Sequence, residues 1–126
     1  MHENDVSQII VDCAIEVHRT LGGPGLLERA YEEPLVWELG RAGMNVERQL
    51  VLPISYKGTP LESSFRIDLL VNNLVLVECK AVSLYNDIFQ AQVLTYLRLM
   101  NLKLGLVINF GEKLVKDGVH RVVNGL

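Results

Sequence analysis

Apolar residues recur at helical spacing from the start of the chain. Val6, Ile9, Ile10, Cys13, Val17 and Leu21 fall on one stripe, predicting a helix from about Val6 to Leu21 with Asp5 or Ser7 as its cap. Leu21-Gly22-Gly23-Pro24-Gly25 ends it. A second helix is expected from about Leu26 to Arg41, stopping near Gly43. Pro34 within it removes a donor and crowds the preceding turn, so a kink, or a new helical segment beginning at Pro34, is expected there. The middle of the chain shifts to period two. Val46 to Tyr56 alternates in part, Lys57-Gly58 reads as a turn, and Leu61 to Val71 as a second strand. Asn72-Asn73 is a second turn, and Leu74 to Ala81 a third strand, whose run Leu74-Val75-Leu76-Val77 fits a strand covered on both faces. Asn86 or Asp87 then caps a helix to about Met100, with Ile88, Ala91 and Thr95 as its stripe. Leu104 to Phe110 returns as a strand, and Asp117-Gly118 precedes a last one, Val119 to Val123.

The order ααβββαββ implies an α/β fold with a mixed central sheet and helices on both faces. The crossover into Leu104–Phe110 should lay that strand parallel to one of the first three. At 126 residues the chain is read as a single domain, 1–126, with no linker or repeat. Its two cysteines, Cys13 and Cys79, stand far apart in apolar stretches and read as buried reduced thiols; no CxxC or HxxxH spacing supports zinc. The polar, acidic start Met1-His2-Glu3-Asn4-Asp5 lacks a basic n-region and an apolar run, so a cytoplasmic protein without a membrane span is expected. A net charge of −3 argues against coating nucleic acid through a broad basic face. It leaves room for an acidic pocket that holds a metal and touches a few phosphates.

Glu78-Cys79-Lys80 is where the pattern turns chemical. Alternation puts Glu78 and Lys80 on one face and Cys79 on the other. Charged groups at the end of the most apolar strand are costly unless paired or bound to an ion. Asp68 sits on the preceding strand among apolar neighbours. Two carboxylates around one point form a hard-oxygen site suited to Mg²⁺ or Mn²⁺, and a neighbouring lysine can orient or deprotonate water, so Asp68, Glu78 and Lys80 form a phosphodiesterase constellation. The competing interpretation is a plain Asp–Lys–Glu salt-bridge cluster. Geometry separates the two. A strict two-residue Asn72-Asn73 hairpin would set Val71 opposite Leu74 and Asp68 opposite Val77, leaving Glu78 on the other side of the sheet. The site therefore requires an odd-length loop or a bulge.

Other side chains join this candidate set. Gln92 and Tyr96 stand four apart on one helix face and are expected to hold substrate or the lysine. Glu28 lies in a helix's first turn on a face shared with Tyr31 and Glu32, as a capping acid or an extra metal ligand. Arg66 shares the face of Asp68 and suits either an ion pair with a site carboxylate or a substrate phosphate. His18, beside the glycine loop, reads as structural before phosphate-binding. Trp37 and Tyr85 read as core or rim packing.

At these residues the sequence resembles the PD-(D/E)XK nuclease superfamily, and within it the small prokaryotic GxxExxY family. The naming motif is Gly25-Leu-Leu-Glu28-Arg-Ala-Tyr31, preceded by Glu16-Val-His18-Arg-Thr-Leu-Gly22. Phe65-Arg66-Ile67-Asp68-Leu69 and Val77-Glu78-Cys79-Lys80-Ala81 match the acidic and ExK strands, and Gln92-Val-Leu-Thr-Tyr96 the QxxxY element of RecB-like members. Gly105 to Phe110 and Asp117 to Arg121 resemble its C-terminal pieces. The resemblance implies a restriction-endonuclease-like αβββαβ core, with Asp68, Glu78, the Cys79 carbonyl and Glu28 around Mg²⁺ or Mn²⁺ and Lys80 as catalytic lysine. Gln92, Tyr96, Arg66, His18 and Tyr31 would then face the substrate. Pro34 departs from the pattern and bears on the aim of Glu28.

The residues admit three functions: a metal-dependent nuclease acting on DNA before RNA, a catalytically silent nuclease-fold binding module, and a small nucleotide phosphohydrolase. No membrane partner is expected. A homodimer would help so small a domain grip a duplex.

Overall fold

The computed structural model describes residues 1–126 and contains three helices and five strands. Helix α1 spans Glu3–Thr20 and starts earlier than its apolar stripe suggests. The cap is His2 rather than Asp5 or Ser7: the His2 ring accepts the Asn4 amide, and the Asp5 carboxylate reaches back to the His2 amide. Ser7 is instead buried within the helix. Helix α2 spans Glu28–Arg41 without a break, and Pro34 lies inside it. The amide that Pro34 lacks would have met the carbonyl of Ala30, an exposed residue that water can serve.

The sheet order is β1 (Val46–Tyr56), β2 (Thr59–Val71), β3 (Val75–Lys80), β4 (Leu104–Asn109) and β5 (Val119–Val123). Neighbours run antiparallel except β3 and β4, which are parallel, as a crossover through α3 (Ile88–Met100) requires. A 3-10 turn, Val115–Gly118, precedes β5. No helix is long and apolar enough to cross a membrane.

Two cores cover the two faces. Val6, Ile10, Tyr31, Leu35 and Leu39 of α1 and α2 pack on Leu69, Val71, Val75, Val77 and Cys79. Val93 and Leu97 of α3 pack on Ile67, Leu76, Val107 and Val122. The buried stripe of α3 is therefore Val93 and Leu97, flanked by Phe89, Leu94 and Tyr96; Ile88, Ala91 and Thr95 are exposed. Trp37 is likewise exposed, with the Arg41 guanidinium 5.1 Å from its ring centre. Cys13 and Cys79 are both free, Cys13 half-buried and Cys79 buried.

Three features of the sheet shape the region around Asp68 and Glu78. Val71 pairs with Val75, so three residues join β2 to β3. Asn72 and Asn73 both adopt left-handed backbone, Leu74 donates to the Val71 carbonyl at 3.0 Å, and Leu74 is the residue in excess of a two-residue turn. Secondly, the alternation of β1 and β2 turns over at one level. Val46 packs on the α1–α2 side but Leu50 and Leu52 on the α3 side, and Leu69 and Ile67 part in the same way. The level is that of Gln49 and Asp68, where the ladder skips a pair without changing register and Gln49 takes φ 53; a separate register shift lies further out, between Pro53 and Ser55. Thirdly, Asn109 is fully buried just past the last core residue of β4. Its side chain accepts the amides of Val82 and Gly111 and donates to the Val82 carbonyl, each at 3.0 Å. Gly111 passes so close that a Cβ there would lie 2.2 Å from that carbonyl oxygen.

Candidate active site

The β2–β3 ladder ends at Leu69 and Val77. The next residues out, Asp68 and Glu78, replace its backbone bonds with side-chain bonds. The Asp68 amide donates to Glu78 Oε1 at 3.1 Å, and the Cys79 amide donates to Asp68 Oδ2 at 2.9 Å. Strand amides point along the sheet, so both carboxylates lie in the gap where the strands part. The odd connection through Leu74 is what brings these two positions level.

On the α2 side the gap opens into a cavity of about 560 Å³, lined by Asp68 and Cys79 with Glu28, Glu32, Arg48 and Arg66 among its walls. Glu32 is buried and accepts from Arg48 through both Nε (3.1 Å) and a terminal nitrogen (2.9 Å), an ion pair with little solvent screening. Gln49 donates to Glu32 Oε1 at 2.8 Å and approaches Asp68 Oδ1 at 3.5 Å. The left-handed backbone of Gln49 thus turns its amide inward, and Arg48, Glu32 and Gln49 form a brace behind Asp68.

The other partners of β3 stand on the α3 side. Cys79 belongs to the α1–α2 core, so alternation sends Glu78 and Lys80 the opposite way. The Lys80 ammonium lies 4.5 Å from the ring centre of Phe89 and makes no ion pair. Tyr96 packs against Phe65 with ring centres 5.1 Å apart. Its hydroxyl pKa is raised by burial first and by the charges of Glu78 and Asp68 next, which puts it within electrostatic reach of the gap.

Electrostatics in the gap is dominated by desolvation. Burial pushes the Asp68 carboxyl up, against the pull of the Cys79 amide, and the fields of Glu32 and Glu28 add to the rise. Glu78 is pushed up to about 8, by burial and then by Asp68. Two acids that resist ionising together form a place where added positive charge is favourable. Hard carboxylate oxygens suit Mg²⁺ or Mn²⁺, and Mg²⁺ is commonly held by one or two carboxylates with water completing its shell. The pair fits that requirement. A wider protein shell is absent, since no three His, Cys, Asp or Glu side chains converge as ligands. Glu28 is a wall of the same cavity and acts on Asp68 through its field.

The remaining residues divide. Arg66 lines the cavity with no ion-pair partner. Gln92 is exposed and makes no hydrogen bond within the chain, whereas Tyr96 is half-buried beside Phe65. His18 and Tyr31 are tied into the fold by their own hydrogen bonds. His18 Nε2 is buried 3.0 Å from the Phe110 carbonyl. The Tyr31 hydroxyl donates to the Gly23 carbonyl at 2.8 Å and accepts the Leu26 amide at 3.2 Å, while its ring stacks on Phe110. Gly25, at φ 119, completes the bend. The spacing Gly25, Glu28, Tyr31 is thus a clamp: the tyrosine fixes the loop that aims the glutamate. Tyr31→Phe should lower stability by roughly 1–2 kcal/mol for its two lost bonds and speed proteolysis between Leu21 and Leu27. Thermal unfolding and limited digestion measure both, and unchanged digestion there would refute the clamp.

Arg48, Gln49 and Arg29 lie on the cavity wall beyond the residues singled out from sequence. The signal for Arg48 and Gln49 was the run Glu47-Arg48-Gln49, three polar residues in succession where a strand should alternate.

A model of the PD-(D/E)XK nuclease superfamily matches residues 4–122 of the chain. No curated protein and no solved structure matches it.

Proposed function

The chain belongs to the PD-(D/E)XK nuclease superfamily, and from that premise we propose that it hydrolyses phosphodiester bonds, in DNA before RNA, with Mg²⁺ or Mn²⁺. The observation that carries the proposal is the pair of mutually destabilising carboxylates, half-buried Asp68 and buried Glu78, in the gap at the end of the β2–β3 ladder. Asp68 and Glu78, with the Cys79 carbonyl beside them, would hold the cation. Such an ion supplies charge neutralisation at the phosphate and makes water more acidic. Lys80, unpaired and next to the gap, orients the attacking water and offsets charge developing on the phosphoryl oxygens. Arg66 contacts the phosphate from the cavity side. Tyr96 offers a hydroxyl whose proton is firmly held, hence a donor toward substrate or lysine. Arg48, Glu32 and Gln49 keep Asp68 aimed. Glu28 assists the cation or a second water at the cavity mouth, and on the clamp of Gly25 and Tyr31 we assign the chain to the GxxExxY group.

The test is cleavage of plasmid, single-stranded, duplex and branched oligonucleotides with Mg²⁺ or Mn²⁺. Asp68→Ala and Lys80→Ala should each lower the rate by roughly 10²–10⁴-fold, the usual scale for a lost charge stabiliser or acid–base group. Background cleavage equal in all three proteins would instead favour a catalytically silent binding module, the reading that a set of only two convergent carboxylates supports.

A further inference from the structure

A second cavity, of about 370 Å³, lies between the end of α1 and the residues that come after β4. Its walls include Arg19, Lys113 and Lys116, with Ile15 and Leu114 as apolar surface and no carboxylate among the lining residues. Arg19 is partly neutralised by Glu16, whereas Lys113 and Lys116 have no ion pair. In a chain of net charge −3, such a purely cationic recess is an anomaly that a general need for solubility does not explain. It contrasts with the first cavity, where Glu28, Glu32 and Asp68 offset three arginines.

Its position gives it meaning. Lys80 of β3 is level with Asn109 of β4, and the two strands are parallel, so the acid pair and residues 113–116 leave the sheet at the same end. Val115 packs in the same core as Tyr31 and Cys79, so both cavities lie on the α1–α2 side. His18 ties the end of α1 to the Phe110 carbonyl and fixes one wall. Only the loop clamped by Tyr31 separates the cavities: Gly22 and Gly23 line the second, and Glu28 lines the first.

We propose that the recess formed by Arg19, Lys113 and Lys116 is a second phosphate subsite, taking a backbone phosphate of the same nucleic-acid strand whose scissile diester lies at Asp68 and Glu78. This rests on the nuclease reading above. Two free ammonium groups supply the charge, and Ile15 and Leu114 supply surface for a sugar face. Affinity for a strand is then concentrated at one point beside the loop, which is how an acidic protein can hold a polyanion without a broad basic face.

The test compares wild type with the Lys113→Gln/Lys116→Gln variant, whose altered residues are exposed. Anisotropy of a fluorescent single-stranded oligonucleotide, with Ca²⁺ in place of Mg²⁺, gives affinity against salt. Loss of the one phosphate contact should make the log–log slope shallower by about 0.7. Hydrolysis of bis(p-nitrophenyl) phosphate with Mn²⁺ should be unchanged, since that small diester reaches only the acid pair. Equal slopes overturn the subsite. So does a variant that loses affinity for a nucleoside monophosphate, because the recess would then be a free-nucleotide site. If wild type does not hydrolyse the small diester the nuclease reading fails, and the slopes still decide whether the recess binds strand phosphate.

Discussion

Asn109→Ala should unfold much of the protein near room temperature or lower its melting point by roughly 10–20 °C. One side chain satisfies three backbone groups here: the Val82 amide, the Val82 carbonyl and the Gly111 amide. Alanine leaves all three without a partner in a place that no larger group can repack, because Gly111 already runs against Val82. Each orphaned group costs about 1–3 kcal/mol, so the sum is roughly 3–9 kcal/mol. Domains of this size hold only about 5–15 kcal/mol in all, and each kcal/mol is worth about 2–8 °C. Asn124→Ala provides the contrast, since its side chain makes a single 3.0 Å bond to the Leu102 carbonyl at the sheet edge. Thermal unfolding of both variants is decisive, and an equal loss would mean that the Asn109 bonds carry no special weight. Val82 comes two residues after Lys80, so the same bonds fix how the chain leaves the lysine.

The second large effect is on pH. In metal-free protein, stability should fall as pH rises from about 4.5 to about 8, the interval between the ordinary glutamate value and that of folded Glu78. Below it Glu78 is neutral in both states and contributes no penalty. Within it the unfolded chain releases the proton while the folded one retains it, so the unfolded state binds fewer protons and stability declines. Above it both states are ionised and the dependence flattens. One full proton gives a slope of at most about 1.4 kcal/mol per pH unit, and Asp68 acts in the same direction. Melting temperatures in EDTA between pH 4.5 and 8 check this. Subtracting a Glu78→Gln series isolates the group from every other carboxylate. Mg²⁺ should raise the melting point more at pH 8 than at pH 5, because it selects the ionised pair. A stability difference between wild type and Glu78→Gln that is flat with pH would contradict the buried, coupled pair.

Much of this architecture was legible in the chain because apolar periodicity is local. The order ααβββαββ, the doubly covered Leu76–Val77 strand and the parallel return of β4 all derive from it. The relation of Asp68 to Glu78 could be stated in advance only as a condition on loop length, since parity alone admits either face. Leu74 supplies the odd residue. What could not be read depends on contacts distant in sequence. The stripe of α3 has two candidate faces in the sequence, and the sheet chooses Val93 and Leu97 over Ile88, Ala91 and Thr95. The left-handed turn of Gln49 arises where its amide meets Glu32 and Asp68, residues 17 and 19 positions away. His18 and Tyr31 stand in a motif that invites a substrate role, and their packing against Phe110, 92 and 79 positions away, is not visible in the motif itself.

The Leu74 turn also bears on which changes of chain length this fold can absorb. Asn72 and Asn73 already hold the conformations of a two-residue connection, so removing Leu74 leaves Val71 opposite Val75 and Asp68 level with Glu78. That loss costs one half-buried leucine and no partnership. Removing Leu76 or Val77 instead reassigns the partners on β2 and β4 together and drives Glu78 toward the core. Two neighbouring stretches of sequence thus have opposite tolerance for insertion and deletion, and the boundary between them is one residue wide.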